Sequence, residues 1–491
     1  MRQPNIVLVT TDQQRFDAAQ PAGPDFLRTP HLDILAAEGT VFTHGYSDCP
    51  ICVPARATIM TGRPAFEHGM LKNGKTGELF GTDGTLPTRL RELGYQSLAV
   101  GKMHFGPQRV RHGFDEMILP DDYYREMETS GFPLKPMRNG LGQLELYPGM
   151  ATVPEAMTLT AWTADRCVDF VRYRRDPSMP FFLWCSFAKP HPPFDPPEPY
   201  YSMYLDAPIP EPVIGSWSRP ERAPRVFTDI AHRRRISGID PLTMRKSRAA
   251  YYGMVTHIDY SLGRLFGALQ DAGEWENTLF VYTSDHGEFL GDHGNGGKLF
   301  FYEPSAHVPL VVRPPTIDRG VDAPEQVDTA VCLADILPTL VAAGGGSPPE
   351  SEQSADLLGK EFGDRFSTPA DGDGSGGRVI VGTVGYETPC DYVAATDGRW
   401  KYIYYPEGPV RQLFDLQNDP QELTDLMDAA DSVGQASERL ERVMVDRLSA
   451  AGSPAVDNGR LIDRRTTSPA SGRRRSHYSF HTEHFDGDVR H

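Results

Sequence analysis

Cysteine is scarce in this chain. Its 491 residues include six, Cys49, Cys52, Cys167, Cys185, Cys332 and Cys390, and their spacing matches no disulfide framework. That argues against a cross-linked secreted scaffold and leads us to expect a reducing, cytoplasmic compartment. Long apolar runs are missing as well, since no stretch approaches the roughly 18 residues of a spanning helix. Met1 to Asn5 leads straight into Ile6-Val7-Leu8-Val9, without the apolar core and small-residue cleavage site of a secretory signal. No membrane partner is expected. Positive charge is in deficit, with 49 Lys and Arg against 66 Asp and Glu and a net charge of −17. The basic footprint that nucleic acid requires is therefore lacking. An anionic ligand would have to meet a locally inverted field.

Short apolar runs alternate with helical patterns, the signature of a mostly parallel sheet covered by helices. Strands are expected at Asn5–Thr10, Gln96–Val100, Phe181–Phe187, Leu279–Thr283 and Val308–Val312. Helices are expected from Thr29-Pro30 to Gly39, over Leu86–Leu93, Leu159–Arg174, Arg248–Ala272 and Cys332–Ala343, with caps and stops of the usual kinds. The composition changes after Gly344 to a Gly-, Pro- and Ser-rich stretch. Beyond it, Val379–Gly382, Tyr392–Thr396 and Trp400–Tyr405 read as a small antiparallel sheet, followed by a helix near Ala436–Leu448. The expected fold is α/β, a large mostly parallel sheet flanked by helices, with a small C-terminal α+β subdomain. The divisions are a catalytic domain over 1–345, a linker over 346–378, the subdomain over 379–452 and a polar, basic tail over 453–491. The Pro-rich stretch Lys189–Pro212 and Arg233-Arg234-Arg235 read as a long excursion over the sheet, either a solvated loop or a wall over a site.

Four polar clusters follow strands directly: Thr11-Asp12-Gln13, Gly101-Lys102-Met103-His104, Lys189-Pro190-His191 and Ser284-Asp285-His286-Gly287. In an open parallel sheet, ligands bind outside the carboxyl ends of the strands, so the four are expected to converge. Any one of them alone is ordinary turn chemistry. Asp12, Gln13 and Asp285 supply oxygens and His286 an imidazole, a donor set for Ca²⁺ or Mg²⁺ with room for Mn²⁺. Pro54 suits the first turn of a helix, which puts Cys52 at its N-terminus, where backbone N–H groups favour an anion. Arg56 lies one turn further in, with a forked guanidinium.

The segment Cys52-Val53-Pro54-Ala55-Arg56, continued by Thr61-Gly62-Arg63, resembles the signature of the formylglycine-dependent sulfatases of the alkaline phosphatase superfamily. Asp12 and Gln13, Lys102 and His104, His191, Asp285 and His286, and Lys298 match the family's other site segments. The resemblance runs from Asn5 to about Leu426, and the stretch from Trp400 to Leu416 is similar to the family's C-terminal subdomain. It implies an alkaline phosphatase-like fold and hydrolysis of an anionic sulfate ester of an aryl, alkyl or carbohydrate alcohol. Cys52 would be oxidised by a formylglycine-generating enzyme, and its hydrate would be the nucleophile. One divalent ion, Ca²⁺ or Mn²⁺, would be held by Asp12, Gln13, Asp285, His286 and the modified residue 52. Arg56 would stabilise the hydrate, and Lys102 and Lys298 would hold the sulfuryl oxygens. His191 would protonate the leaving oxygen, and His104 would take a proton from the second diol oxygen.

Gln13 stands where many members have Asp, and His286 where many have Asn. This pairing is closer to the choline-sulfatase-like branch and to phosphonate monoester hydrolases, which keeps phosphonate monoesters and phosphodiesters as alternative substrates. The Lys102/His104 pair favours sulfate. Two other readings compete. Cys49-Pro50-Ile51-Cys52 has redox spacing, although the metal-type ligands at the other strand ends speak against it. An anion-binding protein with an unmodified Cys52 would be non-catalytic. Tyr123, Tyr124, Tyr200, Tyr201 and Tyr204 would either line a pocket for the alcohol or simply pack. A homo-oligomer, most commonly a two-fold dimer, is compatible with the sequence.

Overall fold

The structure is a computed structural model that describes residues 2–19, 22–74, 84–133, 140–142, 144–316, 325–349, 351, 353–359, 362, 377–388, 390–427 and 434–464. In chain order its first ten strands are β1 (Asn5–Asp12), β2 (Thr40–Phe42), β3 (Gly45–Tyr46), β4 (Gln96–Gly101), β5 (Glu116–Ile118), β6 (Phe181–Pro190), β7 (Thr278–Ser284), β8 (Leu310–Arg313), β9 (Glu325–Val327) and β10 (Val331–Cys332). Eight form one sheet in the order β5-β4-β6-β1-β7-β8-β2-β9, while β3 and β10 pair separately. Every neighbouring pair in the large sheet is parallel except those made by β8, which runs against both β7 and β2.

The helices that matter here are α1 (Pro30–Ala37), α2 (Cys52–Thr61), α3 (Leu86–Glu92), α4 (Pro120–Thr129), α5 (Leu159–Asp169), α6 (Pro241–Asp271), α7 (Ile336–Ala343) and α8 (Gly434–Ala450). The pleat of β1 explains the layers. Ile6 and Leu8 point to one face, into a cluster with Ala55, Ile59 and Met60 of α2, Leu86 and Leu90 of α3 and Leu337 and Leu340 of α7. Val7 and Val9 point to the other, against Ala164 and Cys167 of α5 and Ile258, Leu262 and Leu265 of α6. A strand buried on both faces reads as a continuous apolar run, and β1 does.

The C-terminal sheet is an antiparallel meander of four strands: β11 (Ile380–Val384), β12 (Tyr392–Thr396), β13 (Trp400–Tyr405) and β14 (Val410–Asp415). Leu440, Met444 and Leu448 of α8, spaced for one helix face, cover it. The α/β class read from the sequence is the one observed. Several boundaries differ for local reasons. α6 starts at Pro241, because Asp240 caps it by accepting from Thr243 N at 3.0 Å. The helix from Leu159 widens into a π turn over Phe170–Arg174. The Cys332–Ala343 segment opens as a 3-10 turn before α7. β14 is a fourth strand beyond the three expected. Within 346–378, Leu357 and Phe362 are buried against the main core. The arginines at 473–475 lie outside the described residues. Among the described residues, no helix is long and apolar enough to cross a membrane.

Candidate active site

Asp12 ends β1, Lys102 follows β4, His191 follows β6 and Asp285 follows β7. β6, β1 and β7 are adjacent and parallel, so their carboxyl ends open on one edge. Close approach of β4 to β6 needs Gly101, whose φ is 91° and whose Cβ, if present, would stand 2.0 Å from Ser186 O. Lys102 N then donates to Ser186 O at 2.9 Å. α2 delivers Cys52 to the same edge on its first residue and Arg56 one turn later.

The ligand atoms of Asp12, Cys52, Asp285 and His286 lie within 4.8 Å of one another, and all four residues are buried. Cys52 Sγ is 3.2 Å from His286 Nε2 and accepts from Lys298 Nζ at 2.9 Å. Lys298 Nζ also donates to Gln13 Oε1 at 3.0 Å. Arg56 donates through Nε to Asp285 Oδ2 at 3.0 Å, and through Nη1 to Lys102 O at 2.5 Å and Ser186 Oγ at 2.8 Å; its Nη2 is 3.5 Å from Asp12 Oδ2. Lys102 Nζ closes on Asp12 Oδ2. Three cations thus face two carboxylates and a thiol at the edge of an acidic chain.

This electrostatics shifts the groups in opposite directions. Burial alone would raise Asp12, but Lys102, His191, Lys298 and His286 outweigh it and hold the carboxyl well below the usual range. Asp285 goes the other way, pushed up to about 6 by burial and by the neighbouring Asp12. Burial and Asp12 would raise the Cys52 thiol, yet Lys102, Lys298 and His286 bring it well below the ordinary thiol range. His104 is held well below the ordinary imidazole range by burial and then by Lys102, so it stands neutral. Cys49 is the reverse of Cys52, its thiol pushed up by burial and by Asp48 and Asp391. All six cysteines are free, and the redox reading of Cys49 and Cys52 gains nothing from this arrangement.

Two carboxylates, an imidazole and a sulfur atom, buried and converging, suit a divalent cation. Such an ion would offset the burial penalty on the Asp285 charge. His286 Nδ1 pairs with Gly287 O at 3.1 Å, leaving Nε2 on the site. Three site positions have positive φ values, Gln13 (77°), His104 (59°) and Leu299 (104°). Tyr251 steadies Gln13, donating its hydroxyl to Gln13 O and accepting from Arg15 N, each at 2.8 Å.

Lys102, His104 and His191 are among the residues that line a cavity of about 80 Å³. Phe105, Leu119, Tyr124, Leu159, Pro192 and Pro193 supply apolar wall, so part of the Pro-rich excursion does face the site. Lys189, also on the wall, pairs with Asp195 at 2.5 Å. Of the five tyrosines, Tyr124 reaches this cavity, while Tyr123, Tyr200 and Tyr204 are buried in packing and Tyr201 is half-buried against the same core as Tyr204. His191 Nδ1 pairs with Pro192 O at 2.8 Å.

Sequence reasoning missed several supporting residues. Ser186 binds Arg56 from inside an apolar strand, where its lone hydroxyl was the available signal. Asn73 Oδ1 accepts from Val53 N at 3.1 Å at the head of α2, with no local cue. Glu288 lies one residue beyond the Asp285-His286-Gly287 cluster and is fully buried. Arg15 and Arg248 share Asp292 at 2.8 and 3.1 Å and brace the loop that carries Glu288.

A family model described as "Sulfatase" matches residues 4–346. The arylsulfatase of Clostridium perfringens (strain 13 / Type A) is 32% identical over 482 residues, spanning 94% of this chain and 97% of that protein. The choline-sulfatase of Rhizobium meliloti (strain 1021) is 30% identical, spanning 86% of this chain and 82% of its own. The crystal structure of the phosphonate monoester hydrolase of Agrobacterium radiobacter superposes with a TM-score of 0.75 at 25% identity, covering 94% of this chain and all of that one (100%).

Proposed function

The chain belongs to the sulfatase family and is a hydrolase of sulfate esters, and we propose that it acts through residue 52 oxidised from cysteine to formylglycine. The observation that carries this reading is the position of Cys52. It is buried at the head of α2, within 3.2 Å of both Lys298 Nζ and His286 Nε2 and beside two carboxylates. A formylglycine-generating enzyme would act before the site closes, since the residue is fully buried.

Asp12, Gln13, Asp285, His286 and residue 52 would hold one divalent ion, Ca²⁺ or Mn²⁺. When bound, the ion and the hydrated aldehyde would supply a hydroxyl nucleophile at neutral pH and offset charge on the sulfuryl group. The rest falls to the chain's own side chains. Arg56, fixed by three partners, holds Asp285 in place and contributes positive charge beside residue 52, where it would stabilise the hydrate. Lys102 and Lys298 flank the site and bind sulfuryl oxygens, where charge is present in the transition state. His191 lies at the junction of charged cluster and apolar cavity, the place for a proton donor to the departing alkoxide. His104, neutral because burial and Lys102 disfavour its cation, accepts a proton on the residue-52 side.

The alcohol part occupies the cavity. Its wall is largely apolar, and Lys189 is already paired, so a compact apolar alcohol suits it better than a sugar with further anionic groups. Gln13 and the superposition on a phosphonate monoester hydrolase favour a second reading, in which a phosphonate monoester or phosphodiester is a side substrate. A matched series with one phenolic leaving group tests both. The expected order of kcat/KM places the sulfate first, and a phosphonate monoester hydrolysed with much higher kcat/KM would reverse the assignment.

A further inference from the structure

Glu288 is assigned no part in binding metal or substrate, yet it contacts Gln13 directly and the residue before Lys298. It is fully buried and has both carboxylate oxygens engaged. Oε1 accepts from Leu290 N at 3.0 Å and from Gly297 N, the residue before Lys298. Oε2 accepts from Gln13 Nε2. The opposite end of that amide, Gln13 Oε1, accepts from Lys298 Nζ, which in turn reaches Cys52 Sγ. The hydrogen bonds therefore run Glu288 to Gln13 to Lys298 to residue 52.

We infer that Glu288 is a positioning residue that sets the orientation of the Gln13 amide, turning its oxygen toward the metal-type cluster. An amide has one donor end and one acceptor end. A carboxylate behind Gln13 can only accept, so it selects the orientation in which nitrogen faces back and oxygen faces the site. The same carboxylate, through Gly297 N, fixes the turn that presents Lys298. The arrangement also gives a physical reason for Gln at position 13. An acidic residue there would set a second carboxylate against buried Glu288 with no proton between them, a costly pairing.

This inference rests on the reading of Asp12, Gln13, Asp285 and His286 as metal ligands, and its test separates the two. The probe is Mn²⁺ alone, with affinity measured by competition against a chelating dye on the full chain, and thermal unfolding of the metal-free protein measured in parallel. Glu288→Gln preserves shape. Its amide can accept from Leu290 and Gly297 with its oxygen, so its nitrogen meets Gln13 and favours the flipped amide, nitrogen toward the cation. The expected result is an affinity for Mn²⁺ lower by about 10–100-fold, the usual effect of losing such a supporting partner, at an unchanged melting temperature. Gln13→Glu alone should be impaired as well. The double variant Gln13→Glu with Glu288→Gln restores a donor–acceptor pair of the same length and should recover most of the affinity. A purely structural role would show no such reciprocal rescue. Parent-like affinity in Glu288→Gln, or no rescue in a folded double variant, overturns the role of Glu288 and leaves the ligand assignment standing. Failure of the parent itself to bind one Mn²⁺ per chain overturns both.

Discussion

Lys298 Nζ stands 2.9 Å from Cys52 Sγ and 3.0 Å from Gln13 Oε1, so one buried ammonium joins the head of α2 to the end of β1. Lys298→Ala removes that link and a positive charge where the sulfuryl oxygens would lie. kcat/KM for an aryl sulfate should fall by about 10²–10³-fold, the usual effect of losing one preorganised donor to developing charge. Steady-state kinetics on folded variant protein read this directly, and a loss of less than threefold, itself small beside such effects, would remove Lys298 from the reaction.

Arg56 supports both fold and site. Its guanidinium, fully buried, is shared by Asp285, Lys102 O and Ser186. Arg56→Met leaves the Asp12 and Asp285 carboxylates facing each other with less compensation, and breaking such a pair costs about 3–5 kcal/mol. Urea unfolding of the metal-free protein checks this as a lower midpoint at unchanged slope. Arg56→Lys keeps the charge but not the fork, and should lose most activity as well. Full activity in Arg56→Lys would mean that charge alone matters there.

The junction between the two sheets predicts a pH effect. Lys401 Nζ, fully buried on β13, contacts Glu303 at 2.5 Å and Glu422 at 2.8 Å. Two carboxyls share one ammonium. Glu303, helped by Lys401 and His307 against the penalty of burial, is held below its ordinary range, while burial pushes Glu422 up to about 7. The folded state thus binds a proton at Glu422 that the unfolded chain, near 4.5, gives up more readily. Its stability contribution is full below about 4.5 and is lost as pH rises through about 7. Glu422→Gln should flatten the dependence of the urea midpoint on pH in that window, and an identical pH slope in parent and variant would contradict the assignment.

Much of the site was legible because the sheet is parallel. Asp12, Lys102, His191 and Asp285 each follow an apolar run, and parallel strands bring such ends together whatever the loops do between them. Cys52 and Arg56 could be read because helix geometry fixes their relation over one turn. What could not be read depends on contacts between distant segments. Ser186 looks like an interruption in an apolar strand until Arg56 is placed beside it. Glu288 looks like an ordinary loop acid until Gln13, 275 residues away in sequence, is placed beside it. The reversed direction of β8 escaped for a similar reason, since a four-residue apolar strand carries no sign of its direction. α6 begins seven residues before the apolar repeat that marks it in the sequence, because Leu242 and Met244 after the helix-opening Asp240-Pro241 pair do not continue into a helical repeat through Arg245-Lys246-Ser247.

The proposed chemistry depends on one side chain, that of residue 52. Mass spectrometry of the tryptic peptide that contains it, from protein produced together with a formylglycine-generating enzyme, tests that claim without a choice of substrate. The expected result is an aldehyde in place of the thiol, and loss of sulfate-ester hydrolysis in Cys52→Ala. An intact thiol in fully active protein would contradict it.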